Sequence, residues 1–387
     1  MKQDSIVEFF EPPMIDALKR WLKAGLSIAI AVLVLGSTAV LWSAPASANV
    51  LISRLPAGNA ITDGKAILRN ALPIDNAAVR KLQSSLEDIS TTLRISARRL
   101  SAINGNLTQA ERVVTARRAD LLASVPPERQ AQAETLIAEI QDGITAIKAD
   151  VEAQNKEDIW VKRSQLLNKV GALEALMVKQ FPYEVPEEYS HLPQLKGRAT
   201  VEMTTSKGNL TMVVDGYSAP VTAGNFVDLV QRGFYNGLPF TRSEESYVLQ
   251  VGDPPGPEVG FIDPNTKKYR AIPLEVLVKG DPAPTYGITL EDAGRFLEQP
   301  VLPFSAFGAL GMARGDDPNG GSSQFFFFLF EPELTPAGLN LLDGRYSVFG
   351  YVTEGKEVLD KLKAGDKIES ARVVNGLDNL VQPQQSA

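Results

Sequence analysis

The hydrophobic period of the chain changes once, and that change limits each half to one kind of element. From Pro73 onward, apolar residues recur at steps of three and four: Val79, Leu82, Leu86, Ile89, Leu93, Leu100 and Ile103. This is one face of an amphipathic helix, which Gly105 is expected to end. A second helix is predicted over residues 107–125, with Thr108 as cap and Glu111 three residues on. Pro126 and Pro127 break the chain; a third stripe runs through Leu136, Ile140, Ile144, Ile147 and Val151, and a fourth through Ile159, Leu166, Val170, Leu173 and Leu176. Such stripes make a buried seam, so residues 49–181 read as an antiparallel helical bundle. Residues 49–72, with Pro56, Gly58 and Gly64 as breakers, read as irregular.

After Gly197 the period is two. ATVEMTT (199–205) and LTMVVD (210–215) alternate around a short turn, a β-hairpin signal. A helix is predicted from a Thr222 cap to about Gly233, and a second over 354–363. Short strands are expected near 240–243, 247–251, 306–312, 324–329, 346–352 and 367–374. Between the halves, FPYEVPEEYSHLPQL (181–195) has three prolines and cannot continue a helix. The expected fold is therefore multi-domain α + β. It has the bundle, an acidic, proline-rich linker (182–196), and a closed antiparallel β-barrel with two helices (197–378). The barrel carries an insert near 253–303, and a tail follows at 379–387.

One strand stands out. GSSQFFFFLF (321–330) puts Phe325 and Phe327 on one face and Gln324, Phe326 and Phe328 on the other. Both faces are apolar, which predicts burial on both sides, with one amide beside Phe326.

Composition removes several chemistries. There is no cysteine, so no disulfide and no thiolate metal site; His191 is the only histidine, which argues against a histidine-based hydrolase and the usual transition-metal centres. The net charge of −7 argues against general nucleic-acid binding. It divides unevenly: residues 49–181 sum to +3 and residues 182–387 to −10, as expected if the halves dock or face different partners. No phosphate-loop or dinucleotide glycine pattern is present, and ARGDDPNGG (313–321) lacks calcium-loop spacing, so no cofactor or metal is expected.

The first 48 residues read as an export signal. Lys19, Arg20 and Lys23 precede an apolar run over 24–42, and SAPASA (43–48) ends in small residues at Ala46 and Ala48. Cleavage is expected after Ala48; uncleaved, the run is near the length of a membrane anchor. Without an Arg-Arg pair, the general secretory route is expected. The product is then soluble in a periplasm or a thylakoid lumen.

TAGNFVDLVQRGFYNG, PFTRSEESYVLQVGD, GALGMARG, SSQFFF and LDGRYSVFGYV occur in cyclophilin order over residues 197–378. The chain resembles a cyclophilin-type peptidyl-prolyl isomerase. The layout of signal, helical region, acidic linker and barrel is similar to the large thylakoid-lumen cyclophilins of cyanobacteria and chloroplasts. The resemblance implies a folding role toward proline-containing segments of lumenal proteins, and a part in photosystem II assembly.

That chemistry suits the residues. An X-Pro bond isomerises slowly across a barrier of about 18–20 kcal/mol. Lowering it needs an apolar cup for the ring and a donor to the nitrogen lone pair that twisting restores. The resemblance places the catalytic arginine at Arg242, with Gln250 eight residues on along the same β segment, with Gln324 to hold the peptide or the arginine, and with Phe326 as pocket floor. It places peptide-binding positions at Tyr247, Val248, Met312, Ala313, Arg314, Leu341, Leu342 and Tyr346. Several differ from the family: Arg314 stands for an asparagine, Leu341 for a tryptophan, Tyr346 for a histidine, and SEES (243–246) brings Glu244 and Glu245 close to Arg242. Two readings follow: a working isomerase, or a cyclophilin-fold binding module with a weakened site. A third expectation is that the helical region docks on the barrel and covers its groove.

Overall fold

The computed structural model describes residues 61–95, 99–264, 266–330 and 341–383. The expected export signal lies outside these residues. No helix among the described residues is long and apolar enough to cross a membrane.

The helical part contains α1 (Gly64–Ala71), α2 (Ala77–Ile95), α3 (Asn104–Ala116), α4 (Arg118–Ala123), α5 (Gln130–Glu152) and α6 (Lys156–Leu176). Their predicted stripes form one core: Val79, Leu86, Ile103, Ile140, Ile147, Val170 and Leu173 are all fully buried in it. The boundaries differ from expectation in two places. The first stripe does not lie on one rod: a short 3-10 turn over Leu100–Ile103 intervenes, and α3 starts at Asn104, so Gly105 lies inside a helix. Thr108 is likewise interior and caps nothing. Gly64 also starts a helix instead of breaking one, because Asp63 caps α1 by accepting from the Lys65 N–H (3.1 Å).

The second part is an eight-stranded antiparallel sheet ordered β11-β2-β3-β10-β8-β9-β5-β4. Its strands are β2 (Arg198–Thr205), β3 (Gly208–Asp215), β4 (Arg242–Glu244), β5 (Val248–Val251), β8 (Ala309–Met312), β9 (Phe325–Phe328), β10 (Val348–Glu354) and β11 (Ile368–Asn375). The two edges meet through irregular backbone: Gly237 N–H donates to the Ile368 carbonyl (2.7 Å), Ile368 N–H to Leu238 (3.0 Å), and Phe240 N–H to Asp366 (2.8 Å). The sheet thus closes on itself, as expected, without a regular ladder at the seam.

Inside the barrel, Phe325 packs against Phe226, Tyr235 and Phe349, with ring centroids 5.1–6.2 Å apart. Phe226 comes from α7 (Pro220–Gln231), buried against the barrel except at Gln231. The expected Thr222 cap is corrected. The helix begins two residues earlier at Pro220, a residue suited to a first turn, and Ala219 offers no side-chain cap. The cap comes instead from Glu275 in the insert, which accepts from the Val221 and Thr222 N–H groups (3.2 and 3.0 Å). Glu275 lies in β6 (Glu275–Val276), which pairs with β7 (Thr285–Tyr286). The second predicted helix is reduced to α8 (Lys356–Leu359).

The proline-rich segment is tied down. Gln194–Leu195 forms β1 and pairs with β12 (Leu380–Val381), Leu192 and Leu195 enter the barrel core, and Tyr189 stacks on Tyr286 at 5.3 Å. His191 is exposed.

The helical part docks on the barrel through α1. Ile67 and Leu68 are buried in a cluster with Val248, Phe304, Phe326, Phe328 and Tyr351 on the outer face of the sheet. A Cβ on Gly64 would stand 2.8 Å from the Cβ of Tyr351, so only glycine permits this approach. Arg198 donates to the Leu68 carbonyl (2.5 Å), and Ser305 to that of Ile61 (2.7 Å).

Candidate active site

The residues expected to carry chemistry come together on that outer face. Arg242 is directly opposite Gln250, Gln250 opposite Phe326, and Phe326 opposite Gly311, giving one cross-strand row over β4, β5, β9 and β8. Arg242 and Gln250 share a face because β4 and β5 form a hairpin. They do not sit on one continuous strand, so the eight-residue spacing measures the turn and not a run along a ladder.

The two glutamines are joined. Gln250 Nε2 donates to Gln324 Oε1 (2.7 Å), and Gln324 Nε2 donates to Asp253 Oδ1 (3.1 Å) and to the Val259 carbonyl (2.9 Å). Gln324 thus sits just before the strand with its half-buried amide oriented by three partners from β5, the residues after it and the insert. Such networks fix the direction of an amide.

Arg242 is a third exposed and is held by Glu244, whose Oε1 accepts from both Nε (2.6 Å) and Nη2. The expected competition from the SEES segment is thus observed, with Glu244 as the partner. Both side chains are partly solvated, and ion pairs of that kind contribute about 0–1 kcal/mol. Breaking such a pair costs at most a few-fold in an equilibrium constant.

Phe326 is 5% exposed. Phe304 lies parallel to it (centroids 5.7 Å apart, 8° between planes), and Tyr346 stands edge-on at 5.6 Å. Gly311 makes room: a Cβ there would fall 2.4 Å from the Phe326 ring and 2.9 Å from Phe304. Phe304 was not among the sequence candidates. It falls just past the insert, where alternation gives no hint of which face it joins. Its position is set by its N–H donating to Asp343 (2.7 Å) and by the Tyr351 hydroxyl donating to the Pro303 carbonyl (2.7 Å).

Of the remaining candidates, Val248 is buried beside Phe328, and Tyr247, Ala313, Leu342 and Tyr346 border the same cluster. Burial pushes the Tyr247 hydroxyl pKa above its ordinary value. Met312 points the other way, into the barrel core against Phe325, so it can shape the groove only from behind Ala313. Leu341 is 79% exposed and belongs to no cluster. Arg314 donates to the Arg345 carbonyl (3.0 and 2.7 Å) and lies over the Tyr346 ring at 5.1 Å, so the tyrosine is bracketed by a cation and by Phe326. No group of side chains suited to a metal ion occurs among the described residues.

A closed antiparallel barrel bearing an arginine, a glutamine and a phenylalanine in one outer row, with a second glutamine linked to the first, has the form of a cyclophilin. Residues 200–380 match the family described as cyclophilin type peptidyl-prolyl cis-trans isomerase/CLD, and residues 63–178 match the PsbQ-like domain of the CYP38-like isomerases. The chain belongs to the cyclophilin-type peptidyl-prolyl cis-trans isomerase family. It is 60% identical over 341 residues to the thylakoid lumen peptidyl-prolyl cis-trans isomerase sll0408 of Synechocystis sp., covering 88% of this chain and 89% of that one. It is 44% identical to the chloroplastic isomerase CYP38 of Arabidopsis thaliana, over 95% of this chain and 86% of the other. To the chloroplastic isomerase CYP37 of the same plant it is 32% identical, over 84% and 72%.

Proposed function

We propose that the protein is a prolyl isomerase of the thylakoid lumen that acts on proline-containing segments of lumenal proteins, photosystem II subunits among them, during assembly. The observation that carries the reading is the row Arg242–Gln250–Phe326. In this reading the proline ring lies on Phe326. The Arg242 guanidinium donates to the prolyl nitrogen once the amide twists, and Gln250 and Gln324 hold the peptide backbone. A fixed, always-charged fork suits a donor whose bond strengthens only in the twisted state. Tyr247, Val248, Ala313, Arg314, Leu342 and Tyr346 border the groove, with Met312 behind it and Leu341 at its outer rim. The lumenal location is supported by the names of the Synechocystis and CYP38 relatives above and by the basic–apolar–small pattern of residues 1–48, with cleavage after Ala48.

The test is refolding of a denatured protein whose slow phase is limited by one X-Pro bond. Catalytic amounts of the wild-type chain are expected to speed that phase, and Arg242→Ala to remove the effect. Equal acceleration by both proteins contradicts the assignment of Arg242.

A second reading is favoured by one observation, the stacking of Phe304 on Phe326. With that ring in place the floor of the pocket is covered, and the barrel acts as a binding module that holds partners without efficient turnover. Phe304→Ala distinguishes the two: a large gain in isomerase rate shows that the ring limits access, and an unchanged rate removes this reading.

A further inference from the structure

We infer that the protein has a second binding site, away from the groove, for an acidic polypeptide segment. The site is a cleft of about 370 Å³ where the end of α6, the segment after it and one end of β2 and β11 meet. Four cations line it (Arg129, Lys179, Lys196 and Arg198), and no aspartate or glutamate does. One of the four is neutralised: Arg198 donates to Asp215 (3.2 and 3.3 Å). Arg129, Lys179 and Lys196 form no ion pair among the described residues. Three cations around one cleft repel each other, and an arrangement of that kind is relieved by an anionic ligand.

The cations are also positioned. Arg129 is pinned by donating to the Val178 carbonyl (2.8 Å). Lys196 lies over the Phe181 ring at 5.9 Å and Arg198 over Tyr217 at 6.0 Å, and the two rings stack at 6.2 Å. The cleft therefore offers a flat aromatic wall between charges, which suits the aliphatic stems of glutamate and aspartate side chains. Gln180 and Asn375 add amide groups at the edge, the kind that pair with a peptide main chain, while the Asn379 amide is committed to the Arg198 carbonyl (2.8 Å). Lys179, Lys196 and Asn375 are exposed, so a chain longer than the cleft can leave it. A compact inorganic anion would leave the rings and amides unused. Because the walls come from both the helical part and the barrel, an occupied cleft would also hold the two parts together.

The test is fluorescence anisotropy of a labelled, proline-free peptide of alternating glutamate and alanine with the full chain. A glutamine–alanine peptide is the control and inorganic pyrophosphate the competitor. Wild type is expected to bind the acidic peptide at about 0.02 M salt and more weakly at about 0.15 M, where the screening length is about 8 Å. The double variant Lys179→Gln, Lys196→Gln is expected to lose at least roughly tenfold in affinity while keeping its isomerase rate. Arg242→Ala is expected to bind the acidic peptide as wild type does. No binding of the acidic peptide overturns the proposal. So does equal binding of the glutamine peptide, unchanged affinity in the double variant, or loss in Arg242→Ala. Displacement by pyrophosphate at lower concentration than by unlabelled peptide identifies a small-anion site instead and equally overturns it.

Discussion

In the proposed mechanism, Arg242 and Glu244 set how much activity the groove can show. Removing the guanidinium takes away the one charged donor of the row, and loss of a transition-state donor costs on the order of 10²–10³ in rate. Arg242→Ala is therefore expected to lower kcat/KM by about that factor, with the thermal midpoint nearly unchanged because the side chain is partly solvated. Glu244→Gln should do the opposite: releasing a pair that contributes about 0–1 kcal/mol raises kcat/KM by up to about fivefold. A fall in rate on Glu244→Gln would show that the carboxylate orients the arginine and does not compete for it. At this scale the sequence was informative about the row itself. An arginine, two glutamines and a phenylalanine at family spacings are visible in one dimension. The partners that modify the row were not, apart from Glu244. Phe304 reaches Phe326 because Asp343 and Tyr351 hold the backbone at Phe304 and Pro303, and those contacts join residues 39 and 48 positions apart.

Among the elements, β9 shows why four phenylalanines can stand together: Phe325 and Phe327 fill the barrel, and Phe326 and Phe328 are covered from outside by Phe304. The period-two pattern predicted burial on both faces, but not what supplies the outer cover. The capping of α7 by Glu275 is a similar case, because the cap comes from residues more than fifty positions away and leaves no local signal. It has a consequence for pH. Burial raises Glu275 to a pKa of about 7, against the pull of two N–H groups that favour its charge, and burial likewise raises Glu174 to about 7 beside Arg80. Both groups bind protons more tightly folded than unfolded. Their contribution to stability is therefore complete below about pH 4.5 and is lost as pH rises through about 7. Asp228, held below its ordinary value by Arg232 and Arg270 against its own burial, acts in the opposite sense and only at lower pH. The urea midpoint is expected to fall between pH 5 and pH 8, and Glu275→Gln to flatten that fall. A midpoint that rises over this range would contradict the assignment.

The whole molecule joins a helical part to a barrel through the short helix α1, which lies in a stretch expected to be irregular. Its eight residues hold too few apolar positions for a periodic stripe, and Gly64, a breaker by type, is required there by the approach to Tyr351. Docking was anticipated from the charge division; the contact is made chiefly by Ile67 and Leu68, with one partly solvated ion pair across it, Lys65 to Glu354 (3.5 Å). Burying two aliphatic side chains in this contact predicts that Leu68→Ala destabilises the full chain by about 2–5 kcal/mol. If α1 restrains the face that bears the groove, the same substitution raises the isomerase rate; an unchanged rate means that the contact is structural alone. The central claim is that the Arg242–Gln250–Phe326 row isomerises prolyl bonds, and NMR exchange on a short Ala-Pro peptide tests it most directly. Wild type is expected to broaden and exchange the cis and trans signals faster than the uncatalysed rate, and Arg242→Ala to return that rate to the background; exchange no faster than background with the wild-type chain would contradict the account.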